Sequence, residues 1–223
     1  MYFRNRGENM EIQKPEKQIE PYLVHQADKE EQILLQKLYS EEFCSNKREM
    51  IRVIEDILWE WNKKEQIRQK RMPLKEVNAR IKAPRSIVEK LKRKGYELSI
   101  QNVGRLHDLI GVRAVCNYLD DIYRLREYIL SYKGITIVRE KDYIAFPKKS
   151  GYQSLHLILK IENEIVELQV RTAVMDYWSN LEHSIIYKKG NRADRQIGKE
   201  LIKYASFLRK VDYVLLAQRI KQE

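Results

Sequence analysis

In the stretch PKKSGYQSLHLILKI, residues 147–161, Tyr152, Ser154 and His156 stand at alternate positions, and Leu155, Leu157 and Leu159 interleave with them. Successive side chains of a strand point to opposite faces, so the two sets separate into an apolar row and a row able to do chemistry. EIVELQVRT repeats the device: Glu167, Gln169 and Arg171 alternate with Val166, Leu168 and Val170. A two-residue turn at Glu162–Asn163 or Asn163–Glu164 would join the runs into a hairpin with both polar rows on one side. Solvent-facing hairpins also turn polar residues outward, but such a face has little use for Tyr, His, Glu, Gln and Arg together.

Asp108, just ahead of the β-rich run LIGVRAVC, supplies a second carboxylate. If that run neighbours the hairpin, Asp108 and Glu167 meet at one end of a sheet. Two carboxylates suit a hard divalent cation such as Mg²⁺, whose other positions are filled by phosphate oxygens and water. The chemistry indicated is phosphoryl transfer, which also needs cations to offset charge on the moving group. Arg80, Lys82 and Lys90 are available upstream and Lys148 lies in the glycine turn. Tyr152 offers a face for a base, a contact worth about 1–3 kcal/mol in nucleic-acid systems.

Residues 63–94 hold 13 Lys or Arg against 3 Glu, so nearly all of the net charge of +11 sits in one seventh of the chain. Either this is a solvated basic helix face or it builds an anion site. His107–Asp108 spells the dipeptide of HD phosphohydrolases, but only His25 stands upstream to complete such a centre. The G-x-x-x-x-G-K-[ST] phosphate loop is absent from the sequence.

The elements that must hold these residues read as an α+β arrangement, a mixed sheet flanked by helices. After a polar lead-in over residues 1–25, Leu34, Leu35, Leu38, Phe43, Ile51, Ile54, Leu58 and Trp61 recur at helical spacing. They predict two helices broken around Ser45–Asn46. Pro84 suits a helix start and Gly95 its end. A strand from Leu109, a helix closed by Gly134, one or two strands in ITIVREKDYIAF and the hairpin follow. Ala173 opens another helix, and after a polar break at Gly190–Asp194 a last helix runs to the end. Its Ile197, Leu201, Tyr204, Leu208, Val211 and Leu215 form a narrow apolar seam, suited either to pairing with another helix or to docking on the chain's own sheet.

An apolar content of 43% supports a real core and argues against wholesale disorder. Cys44 and Cys116 fit no metal or redox spacing, and nothing resembles a signal peptide or an apolar membrane span. A soluble, cytoplasmic protein with an anionic partner is expected.

The stretches RIKAPRSIVEKLKRKGY, HDLIGVRAVC, KDYIAFPKKSGYQSLHLIL, VELQVRT and MDYWSNLEHSIIYKK, in this order between Arg80 and Lys189, resemble the (p)ppGpp synthetase domain of the RelA/SpoT family. The similarity is greatest to stand-alone small alarmone synthetases. The resemblance implies a nucleotidyltransferase-like fold over residues 26–190. It also implies transfer of the β,γ-pyrophosphate of ATP to the ribose 3′-OH of GDP or GTP, with release of AMP. It places Arg80, Lys82, Ser86 and Lys90 on ATP, and Asp108 and Glu167 on catalysis and Mg²⁺. Lys148, Tyr152, His156, Gln169 and Arg171 fall on the GDP/GTP side, with Tyr152 against guanine.

Ser150 departs from the Asn that many members carry there, which bears on acceptor preference. Lacking sequence like the long enzymes' hydrolase region, the chain is expected to synthesise and not degrade. The last helix, residues 191–223, is expected to join a homotetramer, and an allosteric site for (p)ppGpp or single-stranded RNA is in keeping with the family. The rival readings are another acceptor, such as GMP, an adenine nucleotide or tRNA, and a non-catalytic basic RNA-binding protein.

Overall fold

Ser40 decides where the N-terminal helical stretch breaks. In the computed structural model, which describes residues 29–186 and 194–221, helix α1 spans Lys29–Leu38 and α2 spans Glu41–Gln69. The Ser40 side chain accepts from the Phe43 backbone N–H at 3.2 Å, capping α2. The break predicted at Ser45–Asn46 is therefore corrected: both residues lie inside α2, because the hydroxyl five residues earlier satisfies the helix start. The expected lead-in over residues 1–25 lies outside the described residues, as do residues 190–193 of the polar break expected at Gly190–Asp194, while Asp194 already belongs to the last helix.

Strand β1 (Leu74–Ile81) has no counterpart among the expected elements. Helix α3 (Pro84–Arg93) starts at Pro84 and is followed by Gly95 in the left-handed region, as the sequence predicts. A single turn, α4 (Ile100–Val103), precedes β2 (Ile110–Cys116), α5 (Leu119–Ser131) and β3 (Ile135–Asp142). The hairpin is β4 (Leu155–Ile161) and β5 (Glu164–Thr172), turning at Glu162–Asn163. Helices α6 (Ala173–Ile186) and α7 (Asp194–Ile220) close the chain.

The five strands run in the order β1-β2-β5-β4-β3, antiparallel except for the central β2–β5 pair. Leu155, Leu157 and Leu159 pack with Val166, Leu168 and Val170 on one face, and all six are fully buried. Ile54 and Leu58 of α2 and Ile122 and Leu125 of α5 complete that core. A slip of one residue would turn the leucine row onto the polar face and lose about 2 kcal/mol per side chain, so burial sets the register. A second cluster ties Leu34 and Leu38 of α1 to Ile87 and Leu91 of α3 and to Leu109 just ahead of β2.

α7 docks on its own chain through Ala205, Asp212 and Arg219, all buried. Of the predicted seam, Ile197 and Leu201 lie where side chains are not described. Tyr204 and Leu215 are exposed, so the inward face is rotated from the one the spacing suggested.

Candidate active site

Directly paired residues project to the same side of a sheet, so the register defines what shares the face opposite the core. One row across the strands reads Arg80, Gly111, Glu167, Ile158 and Arg139; the next reads Asn78, Arg113, Gln169, His156 and Lys141. The hairpin thus carries Glu167, Gln169 and His156 on one face, as its alternation predicts, but Tyr152 and Ser154 precede β4, which begins at Leu155, so the glycine turn and not the strand pleat positions them.

Asp108 sits in the turn that feeds β2. The Lys82 N–H donates to the Leu109 carbonyl at 2.8 Å, which pins the end of β1 beside this turn. Lys90 approaches from α3. Asp108 Oδ2 pairs with Lys90 Nζ at 2.6 Å and Lys82 Nζ at 3.3 Å. Its Oδ1 is buried with no hydrogen-bond partner. Burial works against ionisation of this carboxyl, but the hydrogen bond from Lys90 and the charge of Lys82 outweigh it and hold the pKa below the ordinary value. Ser86 lies in the first turn of α3, whose N-terminus has neither a side-chain cap nor an acidic residue. Unsatisfied N–H groups at such a helix start favour an anion. The Arg80 side chain lies over Gly111, its Cγ and Nε each 3.8 Å from where a Cβ would stand.

Glu167 faces the other half. His156 Nδ1 lies 3.1 Å from its Oε1 and Gln169 Nε2 donates to its Oε2 at 3.2 Å. Burial raises its pKa, as does the charge of Asp108, but the His156 and Gln169 contacts prevail and the net shift is downward. Glu167 pairs in register with Gly111, three residues after Asp108, which puts both carboxylates at the same end of the β2–β5 pair. Among the described residues no group of three or more His, Cys, Asp or Glu forms a closed metal cage. An unpartnered Asp108 oxygen and a nearby carboxylate nevertheless fit Mg²⁺, which takes few protein ligands and completes its shell from phosphates and water.

The glycine turn builds the remaining wall. The Gly151 N–H donates to the Lys148 carbonyl at 2.8 Å, with Gly151 at φ 84°. The Ser150 hydroxyl turns inward and accepts from Tyr152 N at 3.4 Å. Tyr152 is only 8% exposed. Its ring meets Tyr143 and His156 edge-on, and Lys148 Nζ stands 4.5 Å from its centroid. Arg171 is buried beneath this wall and donates to Tyr152, Gln169, Ser154 and Asp176.

Several residues at the site escaped the sequence reading. Arg113 pairs with Asp176 at 3.2 Å, and its signal was a lone charge inside the apolar run IGVRAVC. Arg139 and Lys141 extend the two rows onto β3, and their alternation was the available clue. Tyr143 and Asp176 had no local signal.

The family description "Region found in RelA / SpoT proteins" matches residues 79–192, just over half of the chain and all of the polar face but Asn78. The chain belongs to the RelA/SpoT family. Within that family it is 38% identical over 160 residues to the GTP pyrophosphokinase YwaC of Bacillus subtilis, spanning 68% of this chain and 75% of that protein. It is 36% identical over 124 residues to GTP pyrophosphokinase YjbM of the same organism, spanning 52% and 58%. The fold matches small alarmone synthetase 1 of Bacillus subtilis, bound to its product pppGpp, with a TM-score of 0.72 and 27% identity over 81% of this chain and 96% of that one. Small alarmone synthetase 2 matches with a TM-score of 0.65 and 32% identity over 75% and 93%. The mixed sheet with flanking helices is thus the RelA/SpoT synthetase fold.

Proposed function

We propose that this chain is a GTP/GDP diphosphokinase: it moves the β,γ-pyrophosphate of ATP to the ribose 3′-OH of GDP or GTP, giving ppGpp or pppGpp and AMP. The observation that carries the reading is Asp108, with one buried oxygen free and the other held by Lys82 and Lys90, on the same sheet end as Glu167. The named activity of the similar RelA/SpoT proteins supports it.

ATP enters over β1 and α3. Lys82, Lys90 and the open helix start at Ser86 take its phosphates, and Arg80 flanks them. Bound at Asp108 and Glu167, Mg²⁺ would supply Lewis-acid stabilisation of the charge that builds on the transferred group. The guanine nucleotide enters at Tyr152, where Lys148, an exposed side chain, leaves the ring to meet a phosphate. Glu167 orients the 3′-hydroxyl and accepts its proton. His156 and Gln169 keep that carboxylate ionised and aimed. The outer face of α7 exposes Tyr204, Phe207, Tyr213 and Val214, an apolar surface suited to pairing copies into a homo-oligomer.

The test is a product assay. The chain is incubated with ATP carrying label on its γ-phosphate, Mg²⁺, and in turn GDP, GTP, GMP and ADP, and products are separated by anion exchange. Labelled ppGpp or pppGpp with equimolar AMP is expected. Label on another acceptor, or no AMP with any of them, rejects the reading.

A further inference from the structure

Arg171 is 5% exposed, and all of its hydrogen-bonding nitrogens already have protein partners. That is a poor state for a nucleotide ligand, the role the resemblance assigns it. Its Nη2 donates to Tyr152 Oη at 2.7 Å and to Gln169 Oε1 at 2.5 Å. A guanidinium has no acceptor, so the direction of both bonds is fixed.

Each bond starts a branch. The phenol of Tyr152, accepting from Arg171, has its own hydrogen left to give, and His156 Nε2 is 2.8 Å away. An Nε2 that accepts leaves the imidazole proton on Nδ1, which faces Glu167 Oε1 at 3.1 Å. On the other branch, a Gln169 carbonyl that accepts from Arg171 turns the amide nitrogen outward, and that nitrogen donates to Glu167 Oε2 at 3.2 Å. Both branches run donor to acceptor from Arg171, and both end on the Glu167 carboxylate, one at each oxygen.

We propose that Arg171 is a positioning residue that acts through Tyr152 and Gln169: it orients His156 with Nε2 on the Tyr152 hydroxyl and Nδ1–H on Glu167, and clamps both oxygens of Glu167. Tyr152 then has two separable jobs, a ring that receives the acceptor and a hydroxyl that orients the histidine. The functional consequence rests on the role proposed above for Glu167; the hydrogen-bond polarity does not.

The experiment therefore reads the tautomer directly. Protein labelled with ¹⁵N-histidine is examined by long-range ¹H–¹⁵N correlation at pH 8, and His156 is assigned by its loss in His156→Asn. Expected is a protonated Nδ1 with a bare Nε2 in the parent. In Tyr152→Phe, which keeps the ring and removes the donor, the proton moves to Nε2. Arg171→Lys, which keeps the charge and loses the fork, gives a mixture. A parent His156 protonated at Nε2, alone or together with Nδ1, overturns the proposal. So does an unchanged pattern in Tyr152→Phe. In turnover, Tyr152→Phe lowers kcat about 10- to 100-fold, the effect usual for losing a group that orients a ligand, while the guanine-nucleotide KM stays within about threefold. An unaltered kcat sinks the positioning role. A parent inactive with every acceptor would reject the function and leave the tautomer to decide this proposal.

Discussion

Asp108 sits among opposing pressures: burial favours its neutral form, and two lysines make it a carboxylate. Replacing it with Asn keeps the shape and removes the charge on which the proposed cation site depends. Asp108→Asn is expected to lower turnover by about 10²–10³-fold, the range seen when one stabilising group is removed from a transition state. Folding should change little, by at most ~1 kcal/mol, because the ion pairs with Lys82 and Lys90 are partly open to solvent. Steady-state kinetics beside a thermal melt check both halves. Near-parental turnover would remove the metal role. At this scale the sequence was informative about residue types, because few functions need a Tyr, a His and a Glu gathered about one hairpin. It was silent about partners: that Arg171 points inward follows from Asp176 and Ser154 meeting it.

At the scale of elements, the hairpin and the helix that grips it act together. A Cβ on Gly151 would stand 2.3 Å from Ala205 Cβ of α7, and φ 84° disfavours any side chain there. The last helix thus forms the back of the loop that carries Lys148 and Tyr152. Gly151→Ala is expected to cost on the order of 1–3 kcal/mol and to raise the guanine-nucleotide KM more than the ATP KM. Adding Ala205→Gly should recover part of the loss, since it relieves the clash and leaves the backbone strain. Equal changes in both KM values would separate α7 from acceptor binding. The hairpin was legible because its period-2 pattern lies in consecutive residues. The Gly151–Ala205 contact joins positions 54 residues apart, and no local pattern records it.

Across the whole molecule, the basic segment does not remain one patch. Arg71 makes a two-pronged pair with buried Asp121, Arg68 reaches Glu65 and Lys92 reaches Glu31, while Lys82 and Lys90 converge on Asp108 and Arg80 lies over Gly111. Asp212, 3% exposed, ties α7 to the end of β5 by accepting from Thr172 Oγ1 at 2.8 Å. Burial lifts its pKa from 3.8 to about 6 despite that bond. With the folded pKa above the unfolded one, ionisation of Asp212 costs stability above pH 6, and that cost fades as pH falls from 6 toward 4. Asp212→Asn keeps an acceptor for Thr172 and carries no charge. It should raise stability at pH 7.5 by about 3 kcal/mol and flatten the melting-temperature profile between pH 4 and 6. A variant less stable than the parent at pH 7.5 would contradict this assignment.

The sequence by itself determined the strand faces of the hairpin, the helix bounded by Pro84 and Gly95, and the candidate carboxylates, because each is written in short-range spacing that backbone geometry converts into direction. It misplaced the first helix break, where one capping hydroxyl outweighed the apolar period, and it did not reveal β1, whose charges hide its alternation. Only the tertiary structure decided that Asp108 and Glu167 share a sheet end, that Arg113, Arg139 and Lys141 share the sheet face with Glu167, and that α7 backs the loop around Gly151. Those relations depend on strand order and on burial between distant segments, and core packing selects them only once the whole chain has folded.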